Sequence, residues 1–152
     1  MKYFRTILFS IIGTLILSFT SLSNAAQEHS IVGVGGYDLV SYHTSKKPLP
    51  GNGNHIVRHD GVNYLFSSKK NAEKFKANKE AYLPAYGGYC AYGASVGKKF
   101  IGDPTVWEIV DDKLYLNLDN SIKTLWIKDI DGNIEKANTQ WEKIKHIPAS
   151  DL

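Results

Sequence analysis

The sequence predicts an α+β fold, a small antiparallel sheet of hairpins with packed helices. Two observations predict it. Two pairs of β-type runs, His55–Arg58 with Val62–Phe66 and Val106–Val110 with Leu114–Leu118, each flank a short polar turn. Three amphipathic or capped segments lie after or between these pairs, not alternating with single strands as a doubly wound parallel sheet requires. At 152 residues, 43% hydrophobic and 22% charged, the chain is long enough to bury one core and is neither disordered nor multi-pass membrane in composition. A single cysteine excludes a disulfide scaffold and a cysteine-rich zinc module.

The N-terminus has the order of a secretory signal peptide. Lys2 and Arg5 precede the uncharged run Thr6–Phe19, and Ser23-Asn24-Ala25 places small residues before an expected cleavage after Ala25. The apolar run is 14 residues, shorter than the roughly 20 needed to span a bilayer. The expected domain is therefore residues 26–152, with its core over about 32–144, in the periplasm or outside the cell. Loss of Lys2 and Arg5 lowers the net charge from +3 to +1. A near-neutral domain gives no electrostatic argument for nucleic acid or an anionic membrane surface.

Each element has a local reason. Gly33, Gly35 and Gly36 punctuate the chain before Tyr37-Asp38-Leu39-Val40. Asp38 stands where a dinucleotide fingerprint needs its third glycine, so a tight turn is expected instead. Residues 44–54 form a loop by their prolines and glycines. Asp60-Gly61 turns the first hairpin. Ser67 and Ser68 are candidate caps for a helix to about Asn78, whose lysines 69, 70, 74 and 76 form a solvated face. Pro84, Gly87 and Gly88 break the next segment, and a helix is expected from near Gly88. Asp111-Asp112 turns the second hairpin. Asp119 or Asn120 caps a helix carrying Ile122, Leu125, Trp126 and Ile130 on one face, ended by Gly132. Ile134, Ala137, Trp141 and Ile144 recur at spacings of 3, 4 and 3, a second amphipathic helix. No internal repeat is apparent.

No catalytic triad or paired-carboxylate spacing is readable, and the aspartates cluster at turns where local hydrogen bonding explains them. His55 and His59 would lie roughly 13 Å apart on a strand, too far to share an ion. Cys90 is the informative residue, in Tyr86-Gly87-Gly88-Tyr89-Cys90-Ala91-Tyr92-Gly93. A lone cysteine in an oxidising compartment is either a buried inert hydrophobe or a functional thiolate. In the first turn of a helix from Gly88, the helix dipole would favour the thiolate.

Three stretches together resemble the YHS domain family in its secreted single-domain bacterial form. They are Gly36–Tyr42, Asp60–Ser68 with Phe75 and Tyr82, and Tyr86–Gly93 with Gly102-Asp103-Pro104. The match runs from about Val32 to Trp141. The resemblance implies a small α+β module, often linked to copper and other heavy-metal handling. The positions where the short form of the domain carries its cysteines hold Ser41, Ser67 and Asn71 here, which are poor ligands for soft ions.

The functional expectation is a small binding module for a metal ion such as copper, or another small ligand, centred on Cys90. His43 is the expected second metal ligand, and Tyr37, Tyr42, Tyr89 and Tyr92 are the ligand-binding candidates. The alternatives are a thiol-based redox protein using Cys90 and a non-catalytic interaction module in which Cys90 is inert.

Overall fold

The structure, a computed structural model, describes residues 29–152. The signal-peptide expectation falls outside the described residues, apart from the domain that follows it. The described residues build two two-stranded antiparallel sheets and five α-helices, an α+β fold with hairpins and packed helices as the sequence predicts.

Its organisation is a duplication that the sequence conceals. The first half begins with a glycine turn at Gly33–Gly36, then α1 (Leu39–Thr44), the hairpin β1 (Asn52–His59) and β2 (Val62–Phe66), and α2 (Lys69–Ala77). The second begins with a turn at Ala85–Gly88, then α3 (Ala91–Ser95), the hairpin β3 (Asp103–Val110) and β4 (Lys113–Asn117), and α4 (Asn120–Trp126). Among the described α-helices, α5 (Ile130–Ile144) alone has no counterpart.

The correspondence extends to single residues. Val34, Gly35 and Gly36 have φ of 48°, 56° and 80°, and Tyr86, Gly87 and Gly88 have 53°, 63° and 85°. Glycine takes this left-handed region at no steric cost, whereas valine and tyrosine must be held there by their surroundings. In β1–β2 the register slips between Asn52↔Phe66 and Ile56↔Leu65. In β3–β4 it slips between Asp103↔Asn117 and Trp107↔Leu116, every residue 51 positions later. Gly51 donates its N–H to the Gly36 carbonyl, and Gly102 donates to that of Gly88. Tyr64 packs on Phe75 at 5.3 Å between ring centroids, and Tyr115 packs on Trp126 at 5.5 Å.

Two hydrophobic cores result. Leu39, Val40, Tyr42, Phe66 and Phe75 build the first, and Ala91, Ala94, Trp126 and Ala137 the second. Strand β4 divides them. Leu114 and Leu116 enter the first core and Tyr115 the second, as the two-residue period of a strand dictates. This explains the apolar run at 114–116: both faces of the strand are covered.

Two local expectations are corrected, and one helix was not foreseen at all. Helix α1 at Leu39–Thr44 has no signal among those read from the sequence. Asp38 makes it helical by capping the Val40 N–H at 2.9 Å. The helix after Asp119 stops at Trp126, and Gly132 does not end it. A new cap, Asp129, accepts the Gly132 N–H and starts α5. The helix expected near Gly88 begins at Ala91, so Cys90 is its N-cap and not part of its first turn.

Candidate functional site

The cap position decides what Cys90 does. Its backbone N–H is tied to the Phe100 carbonyl, and its side chain is 1% exposed. The sulfur accepts the Gly93 N–H at 3.3 Å, and the thiol donates to Asn117 Oδ1 at 3.7 Å. Asn117 Oδ1 also accepts the Tyr92 N–H. The thiol thus joins the start of α3 to the end of β4. Thiolate chemistry needs an exposed, electropositive setting, and neither the burial nor these partners provide one.

The equivalent position in the first half is Asp38, fully buried. Its carboxylate accepts four hydrogen bonds: from the Val40 and Ser67 N–H groups at 2.9 Å each, the Ser67 hydroxyl at 2.6 Å and Asn71 Nδ2 at 2.7 Å. The Ser41 hydroxyl donates to the Asp38 carbonyl at 2.6 Å. Ser41, Ser67 and Asn71 are the positions where the YHS resemblance places cysteines. They do converge in space, but around a carboxylate whose acceptor capacity is already filled. Nothing there is left for a ligand.

His43 is far from Cys90. Its electrostatic neighbours are Asp112 and Lys113, at the hairpin end of β4, while Cys90 bridges Leu116 and touches Asn117 at the other end. Lys113 and Asn117 are four positions apart along β4, about 13 Å. The expected Cys90–His43 metal pair is therefore not formed. Among the described residues no group of three or more His, Cys, Asp or Glu side chains is arranged to hold a metal ion.

The tyrosines are dispersed as well. Tyr37 packs against the first core. Tyr89 lies 6.1 Å from Trp141 between ring centroids, with Lys99 Nζ 5.5 Å from the Tyr89 centroid. Tyr92 packs against the second core. Of these four, Tyr42 alone stands with His43, and both line a cleft of about 310 Å³ together with Lys46, Trp107, Glu108, Ile109 and Asp112.

That cleft has the chemistry the cysteine lacks. Tyr42 donates its hydroxyl to the Pro104 carbonyl at 2.7 Å and sets its ring edge-on to Trp107 at 5.3 Å. His43 packs edge-on against Tyr82 at 5.4 Å, and its Nε2 is buried without a hydrogen-bond partner. Buried polar atoms are nearly always partnered in native proteins, so this one stands out. Burial lowers the His43 pKa below the ordinary 6.5; Asp112 opposes the shift and Lys113 assists it. The imidazole is neutral at pH 7. Glu108 is paired with Lys123 at 3.0 Å, whereas no ion pair joins Lys46 or Asp112 to another described residue.

Lys46, Trp107, Glu108, Ile109 and Asp112 were not foreseen from the sequence. One signal was available: Trp107 and Ile109 are two apart in a predicted strand and so share a face. A second cavity of about 310 Å³ runs between the two glycine turns, past the exposed Ile31 and Ile101, but its lining has no charged side chain.

The lowered His43 pKa makes a prediction for stability. Protonation favours the unfolded chain, where the pKa is about 6.5. The contribution is fully present above about 6.5 and is lost as pH falls from there through the lower folded value. Urea midpoints should fall between pH 7.5 and 5, and less steeply in His43→Gln. Equal slopes would show that His43 does not carry the effect.

No protein-family model matches the chain, and neither the curated proteins nor the solved structures contain a significant match.

Proposed function

We propose that the chain is a secreted, YHS-like binding module without chemistry of its own, whose ligand occupies the cleft between His43 and Trp107. The observation that carries this reading is the cleft of about 310 Å³ in which Tyr42, Trp107 and Ile109 form an apolar wall beside His43, Lys46 and Asp112. Small-molecule sites are commonly apolar clefts of this size with a few convergent polar groups. The burial of Cys90 supports the non-catalytic alternative over both the copper and the thiol-redox readings.

Alkylation of Cys90 tests the choice. The thiol should react only as the protein unfolds, at the same rate with and without Cu(I) under reducing conditions. Cys90→Ala should cost about 1–2 kcal/mol, from the lost cap and a small cavity, and leave ligand binding at the cleft intact. Fast native alkylation that copper suppresses would restore the metal reading. Fast native alkylation that copper leaves unchanged would restore the redox reading.

A further inference from the structure

We infer that the His43–Trp107 cleft takes a small zwitterion of the amino-acid or dipeptide class, an ammonium and a carboxylate on an apolar body. The inference rests on the cleft reading above and adds the class of ligand. It follows from which charges are already used. Glu108 lines the cleft but is neutralised by Lys123. Two charges of opposite sign that form no ion pair with another described residue remain among the lining residues, Lys46 and Asp112. Both are exposed. Lys46 follows the C-terminal end of α1, and Asp112 sits in the β3–β4 turn with φ 59°. The two belong to different halves of the duplication and face one cavity.

Between them the wall is Tyr42, Trp107 and Ile109, together with the half-buried His43 ring. The neutral imidazole brings no charge of its own to this wall. A bare cation would find Asp112 but repel Lys46, and no group of metal ligands converges here. A bare anion would face the reverse conflict. A ligand bearing both charges uses both side chains and sets its apolar part on the aromatic wall. Exposed charges contribute modestly, so each should be worth about a fivefold change in affinity.

The test is a titration of ¹⁵N-labelled protein with leucine and glycyl-leucine, followed at the His43 ring nitrogens and Trp107 Nε1. N-acetyl-leucine and leucine amide, each with one charge removed, are the controls. Saturable shifts at both side chains with a zwitterion, weakened about fivefold by either blocked probe and by either Lys46→Ala or Asp112→Ala, are expected. Because both residues are exposed, these variants leave the core untouched; an unchanged backbone spectrum verifies that. If the blocked probes bind as well as the zwitterions, the ligand class is wrong while the cleft reading stands. If indole and all four probes leave His43 and Trp107 unmoved at 10-millimolar order, at which an average fragment site responds, both fail.

Discussion

Replacing Asp38 by alanine should destabilise the protein by about 4 kcal/mol, or on the order of 15 °C in Tm. The carboxylate is fully buried and accepts from two backbone and two side-chain donors. Alanine would leave these donors without an acceptor in a place that water does not reach. An unmade bond to a buried donor costs more than a made one contributes. Asp38→Asn keeps the shape and one acceptor oxygen, and should lose roughly half as much. Urea unfolding with an unchanged slope is the measurement. A loss below 1 kcal/mol for the alanine variant would mean that the donors find other partners, and that the junction of α1, β2 and α2 does not depend on this residue.

Trp126→Ala should cost a similar amount, about 4 kcal/mol. The indole is fully buried against Tyr115, at the heart of the second core. Trp126→Phe should cost far less. The Trp126 Nε1–H is buried without a partner, so removing it relieves an unmet donor and offsets part of the lost volume. The informative quantity is the gap between the two variants. If phenylalanine were as damaging as alanine, the ring's shape and not its burial would dominate, and the unpaired N–H would be a poor account of this position.

How far the residues announced this arrangement differs from one element to the next. The hairpins were legible because their signals are local: β-type runs around Asp60-Gly61 and Asp111-Asp112. The caps Ser68 and Asp119 were legible for the same reason. Helix α1 was not, because its six residues are helical through a tertiary junction at Asp38 and against their own propensity. The duplication was hidden because it is written in backbone angles and close approaches. A Cβ on Gly102 would lie 2.6 Å from that of Leu116, so glycine is required there as it is at Gly51, yet most paired positions differ in side chain. Cys90 drew attention through the chemistry of its type, which burial then withholds. The cleft around His43 could not be read from spacing, since Trp107 and Asp112 come from a hairpin some 65 residues later.

The place of β4 between the two cores has a consequence for modularity. Although the halves share one plan, neither is a transplantable unit. A chain cut after residue 84 would keep α1, β1, β2 and α2 but lose Leu114 and Leu116, and the first core would be open on the side they cover. The two halves repeat one plan, yet they share a strand that neither can surrender.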